Sequence, residues 1–122
     1  MALFRKGYEV TLNRVHDTVV IREGTDKITL TVNGDAMRLV AGLNKAQAKM
    51  KAITDDSTDD EVREAARYFA TVLFGTDQAG RLMDFYADDP GCVITVCGKY
   101  FRERLAGKIA EKQKKLKNAE TA

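Results

Sequence analysis

The sequence predicts an α+β protein, a small N-terminal antiparallel β-hairpin followed by a mostly helical bundle of about four helices. Three observations predict it. β-branched residues crowd the first 34 positions. After Gly34 the apolar period changes from 2 to 3.6. Helix-capping residues then recur along the rest of the chain. The whole chain, 1–122, reads as one domain, with a hairpin region at 1–34, a helical region at 35–117 and a frayed tail at 118–122.

Taken in order, Thr18–Arg22 and Lys27–Val32 have strand character. In the second, Ile28, Leu30 and Val32 alternate with Thr29 and Thr31, as in a half-buried strand. Glu23-Gly24-Thr25-Asp26 supplies a tight loop between them. Tyr8–Leu12 reads as a further strand, and Asn33-Gly34 as the stop of the sheet. Asp35 can cap a first helix bearing Ala36, Leu39, Val40, Leu43, Ala46, Met50 and Ile53 on one stripe. Asp55–Ser57 is a polar break. Thr58-Asp59-Asp60-Glu61 matches a capping box, and its extra acids suit the positive end of a helix dipole. The second helix presents Val62, Ala65, Ala66, Phe69, Val72 and Leu73, and Gly75 ends it as a left-handed cap. A third, shorter helix begins at Thr76 or Asp77 and carries Ala79, Leu82, Met83 and Tyr86. Asp89-Pro90 then pairs an N-cap with an N1 proline. One long helix follows to about Leu116, striped by Val93, Val96, Cys97, Tyr100, Phe101, Leu105 and Ile109.

Composition bounds the function. The chain has 122 residues, 44% apolar and 31% charged, with one Pro and no Trp. That suits a soluble domain with a modest core. No apolar run reaches the roughly 18–20 residues of a membrane span. Met1-Ala2-Leu3-Phe4-Arg5-Lys6 has no apolar stretch behind it, so no secretory signal and a place in the cytoplasm of the producing cell are expected. Net charge is only +2, but it is segregated. Residues 55–64 hold six acids against one base, and residues 99–117 hold eight bases against two acids.

Reactive constellations are missing from the sequence. Cys92 and Cys97 are spaced for neither a zinc knuckle nor a redox pair, and read as small buried residues on different faces of a helix. The single histidine, His16, precedes a strand and reads as a surface or turn residue. The single serine, Ser57, is explained by its helix-start loop. Paired carboxylates fall at turns and helix starts, without the glycine and terminal Glu of a calcium loop. Gly75–Arg81 lacks P-loop spacing, so Gly75 and Gly80 read as helix punctuation. No enzyme, metal or cofactor is expected.

The stretch Arg67-Tyr68-Phe69-Ala70-Thr71-Val72-Leu73-Phe74-Gly75 adds a different kind of signal, followed as it is by Thr76–Met83 and then by a Gly91-to-Phe101 helix start with a basic tail. In this order it resembles the tail assembly chaperones and related small tail-region proteins of siphophages and prophages of Gram-positive bacteria. The F-x-x-x-L-F-G run of Phe69 to Gly75 carries most of the likeness, which spans roughly half the chain. The resemblance implies a non-catalytic protein that keeps tape-measure helices soluble and recruits tail-tube subunits around them. It also implies a longer form made by frameshifting near the lysine-rich 112–117.

On this reading the partner-binding surface comprises Phe69, Leu73, Phe74, Leu82, Phe85 and Tyr86. Phe74 and Phe85 fall off the main stripes and are expected to be exposed. Lys108, Lys112, Lys114 and Lys115 form a basic steering arm. The plainer reading makes the six apolar residues ordinary core and the lysines a solvated helix end. Two other functions compete: a structural subunit of a virion or tube that joins neighbours through its hairpin edge, and a nucleic-acid-binding module using the basic helix. A homo-oligomer is compatible with the chaperone and subunit readings.

Overall fold

The protein was analysed as a computed structural model, which describes residues 14–121 and side chains as far as Lys114. It is the expected α+β architecture, a two-stranded antiparallel hairpin followed by four helices. The strands are β1 (Arg14–Glu23) and β2 (Asp26–Asp35). The helices are α1 (Ala36–Lys51), α2 (Asp59–Phe74), α3 (Thr76–Phe85) and a final rod. The rod consists of α4 (Pro90–Tyr100), a π-helical turn (Phe101–Leu105) and α5 (Ala106–Thr121). The strand expected at Tyr8–Leu12 lies outside the described residues.

The hairpin is longer than its β-branched runs. Pairing extends from Glu23↔Asp26 at the turn to Arg14↔Asp35 at the open end. Gly24 takes the first central position of the two-residue loop with φ +62°, the turn chemistry that matches strand twist. Asn33-Gly34 does not stop the sheet. Both residues pair, with His16 and Val15, and Arg14 donates to Asn33 Oδ1 at 3.1 Å. The strand then turns into α1 without a loop, because Asp35 accepts from the Arg38 N–H and caps the helix.

β1 also starts earlier than its apolar run. Its inward row is Val15, Asp17, Val19 and Ile21, opposite Ile28, Leu30 and Val32 of β2. A carboxylate in that row hides the alternation from a hydrophobicity reading.

Helix α2 is the hub, packing on α1, α3, α4 and β2. Its start is the predicted capping box: the Glu61 N–H donates to Thr58 Oγ1 at 3.2 Å, and the Thr58 N–H donates to Glu61 Oε1 at 2.9 Å. Hydrogen bonding to the carboxyl by the Thr58 backbone N–H, and then by its side chain, holds Glu61 below its ordinary range. α1 approaches α2 closely at Gly42, where a Cβ would stand 2.8 Å from Val72 Cγ1. Gly75 ends α2 and starts α3 at φ 85°, ψ 165°. That is not the expected left-handed cap conformation but an extended mirror region essentially reserved for glycine, and it lets two helices meet with no linker. Gly80 is not punctuation; it lies inside α3.

The core is continuous from Val15, Leu30 and Val32 through Phe69, Leu73 and Leu82 to Val93, Cys97, Leu105 and Ile109. Pro90 opens the last rod, as expected, but Asp89 makes no side-chain cap; it accepts instead from the Cys92 thiol at 3.2 Å. Cys97 is fully buried and its thiol is pushed up to about 12, whereas Cys92 is only half-buried. The rod runs on to Thr121, past the point where fraying is expected.

The π-turn keeps the rod on the core. Side chains advance about 100° per residue in an α-helix, so Leu105, eight positions after Cys97, would point about 80° away from it. The Ala106 N–H bonds to Phe101 O, five residues back, and this wider turn absorbs one extra residue. Leu105 and Ile109 therefore return to the buried face, at 0% and 5% exposure.

Candidate functional site

α1 and α4 both lean on α2 but leave a cleft between themselves. The cleft holds a cavity of about 500 Å³ lined by Leu43, Asn44, Gln47, Met50, Phe69, Ile94, Thr95, Gly98, Phe101 and Arg102. A smaller cavity of about 150 Å³ continues it between α1 and α5, past Val40, Ala106, Ile109, Ala110 and Gln113. Leu43, Asn44 and Phe101 line both, so the two form one groove.

Its physical character is that of a stretch of core that no element among the described residues covers. Phe69 and Ile109 make the floor and are nearly inaccessible. Val40, Leu43, Met50, Ile94 and Phe101 rest against the core and are only partly buried. The rim is neutral and hydrogen-bonding, through Asn44, Gln47, Thr95 and Gln113. Leaving five large apolar side chains partly wet costs hydrophobic free energy that a covering surface would recover, at about 25 cal/mol per Å² covered. The π-turn matters here too. By widening the helix at Phe101–Leu105 it returns Leu105 to the core, while Phe101 lines the groove where the two cavities join.

The opposite flank is tied by directional bonds, around a second cavity of about 400 Å³ between α1, α2 and β2 that Thr31, Phe74 and Gln78 also line. Asp17, whose side chain is 4% exposed, accepts from Tyr100 Oη at 2.8 Å and from Arg104 Nε and Nη2 at 2.7 and 2.8 Å. Burial alone would raise the Asp17 carboxyl. Hydrogen bonds from Arg104, Tyr100 and the Thr18 N–H, with the guanidinium charge, outweigh it and hold the group below the usual carboxylate range. Burial first, and then Asp17, push the Tyr100 phenol up. Gln78 of α3 binds the outer edge of β2 like a strand fragment: the Thr31 N–H donates to Oε1 at 2.8 Å, and Nε2 donates to Thr31 O at 2.8 Å and to Phe74 O at 2.8 Å. Tyr86 Oη donates to Glu23 at 2.8 Å, and burial together with that carboxylate pushes the phenol up to about 12.

The six residues expected to meet a partner divide. Phe69, Leu73, Phe74 and Leu82 are core, each at most 6% exposed. Phe74 is not exposed as expected; it stacks on Tyr100, ring centroids 6.1 Å apart. The reason is that α2 is covered on three sides, so residues off its main stripe meet α3 and α4 rather than water. Of these four, only Phe69 lines the groove. Phe85 and Tyr86 are half-buried, edge to face at 5.0 Å, on the flank away from it.

Lys108 and Lys112 are half-buried rather than on a projecting arm. With Arg14, Val15, His16 and Glu111 they surround a cavity of about 250 Å³ beside the start of β1. Lys114 is exposed, and the side chain of Lys115 lies outside the described residues. His16 is an exposed strand residue, not a turn residue. Among the described residues no group of three or more His, Cys, Asp or Glu is placed to hold a metal ion. No helix among them is long and apolar enough to cross a membrane.

Sequence reasoning placed Leu43, Met50, Ile94 and Phe101 on core stripes or passed over them, and so missed the groove. The available signal was the four-residue step Cys97–Phe101–Leu105–Ile109, which drifts round an ideal helix and calls for either a π-turn or an outward-facing residue. In comparisons with known proteins no family model matches the chain, and no curated protein or solved structure shows significant similarity to it.

Proposed function

We propose that this protein is a non-catalytic binding protein whose α1–α4 groove receives an amphipathic helix, in the manner of a tail assembly chaperone. The observation that carries the reading is the groove itself: Leu43, Met50, Ile94 and Phe101, only partly buried, over a Phe69 floor, in a trough whose lining is more apolar than that of the cavity beside Gln78. Helix-in-groove recognition needs this arrangement, an apolar trough with a polar rim that fixes orientation. On the resemblance of residues 58–117, the helix would come from a tape-measure protein, with tail-tube subunits as further partners. Chaperoning long amphipathic helices requires reversible apolar burial and no reactive group.

Co-expression with the protein encoded beside it, if that neighbour is a long coiled-coil chain, tests the reading. The neighbour should become soluble only in the presence of this chain, and Ile94→Asp should remove the effect. Solubility that survives both Ile94→Asp and Leu43→Asp would exclude the groove.

A second reading has one observation in its favour. Gln78 caps the outer edge of β2, whereas among the described residues no strand pairs with the outer edge of β1. A structural subunit could extend its sheet there. Recovery of the chain from purified particles, in fixed ratio to the tube protein, would favour that reading over a chaperone.

A further inference from the structure

We infer that the helix received by the α1–α4 groove is an acidic one, held by a carboxylate on Arg102; the inference rests on the helix-binding reading above and specifies its partner. The fifteen residues lining the two joined cavities include one charged side chain, Arg102, and no Asp or Glu. Arg102 is exposed at the rim beside Gly98 and among the described residues is in no ion pair, while its neighbours Lys99–Glu103 and Arg104–Asp17 are paired. It is thus the cation left over where the rod meets the trough.

Length and charge together define the occupant. The α1 wall runs from Val40 to Met50, about 15 Å at 1.5 Å per residue, so about three turns of helix fit beside it. Apolar side chains spaced three and four apart would descend between Leu43, Met50, Ile94 and Phe101. A Glu or Asp on the flank facing α4 would meet Arg102, whose planar fork suits a carboxylate. A lysine there would instead face a like charge, a repulsion that salt screens. A partner rich in acids at those flanking positions is therefore selected over a basic one with the same apolar face.

The test uses two fluorescein-labelled helical peptides with identical leucine faces, one flanked by Glu and one by Lys, read by anisotropy at about 50 mM and 300 mM salt. The wild-type chain should bind the Glu peptide about fivefold more tightly at low salt, the upper range for one exposed ion pair, and Arg102→Glu should reverse the order. Both preferences should shrink at high salt. If both peptides bind the wild type and Arg102→Glu equally, and Ile94→Asp abolishes binding, the groove receives helices but the acidic preference is overturned. If neither peptide binds, the helix-binding reading falls with it. If the chain sediments as a dimer that Ile94→Asp dissociates, the groove belongs to a second copy, and the inference is overturned.

Discussion

The two flanks of α2 solve the same problem differently. On one, the hairpin, α3 and the last rod are joined by side chains that each find a named partner: Asp17 with Tyr100 and Arg104, Gln78 with the Thr31 backbone, and Tyr86 with Glu23. On the other, α1 and α4 share a floor on Phe69 but meet through nothing directional, and their apolar edges stay open. A flank held by directional polar pairs favours one arrangement, since each bond fixes the geometry of both partners, and at Asp17 losing a partner strands a side chain only 4% exposed. A flank held by apolar contact alone tolerates repacking, and so can exchange solvent for another surface. Stability and binding are thereby assigned to opposite sides of one helix.

Breaking the bonded flank should cost most. Asp17→Ala leaves the Tyr100 hydroxyl without its acceptor and Arg104 without its pair. Removing one partner of a buried pair costs about 3–5 kcal/mol, but Arg104 is 59% exposed and regains water, so we expect about 2 kcal/mol, read from urea unfolding. Gln78→Ala should cost about 1–2 kcal/mol by unsealing the β2 edge, and the Thr31 amide should lose hydrogen-exchange protection ahead of Leu30. A loss equal to that of Asp17→Ala would mean that the edge, not the buried carboxylate, holds the hairpin.

The open flank should behave in the opposite sense. Ile94→Gln is expected to change unfolding free energy by less than about 1 kcal/mol while weakening helix binding at least tenfold. A large stability loss with binding intact would erase the contrast between the flanks.

The smallest effect sharpens the comparison by pH. Asp17 and Glu61 both have folded-state values below their ordinary ones. Their contribution is complete above the unfolded carboxylate range, about 4, and disappears as pH falls through the lowered folded values. Stability should therefore drop on acidification below about pH 5, with a shallower slope in Asp17→Asn. Binding of the Lys-flanked peptide by the groove walls, which carry no carboxylate, should follow only the fraction folded.

Much of the fold was legible because local rules set it. The Thr58–Glu61 box, the Asp35 cap, the Gly24 loop and the Pro90 start are decided by residues within one turn of each other. Where sequence reading failed, a distant residue had changed the meaning of a nearby one. Asp17 looks like a strand boundary until Arg104, 87 positions away, neutralises it. Phe74 looks exposed until Tyr100 stacks on it. Phe101 looks like core until the packing of α1 beside α4 leaves it lining the groove.

By itself, then, the sequence determined the order and kind of elements, because periodicity and capping are satisfied within a few residues of where they are written. Only the tertiary structure decided which apolar stripes remain uncovered. That depends on how many neighbours each helix acquires: α2 packs on four elements, whereas α1 and α4 each have one side that no other described element reaches. The groove lies on those two sides, where exposure is a property of the assembled layers and of no single helix.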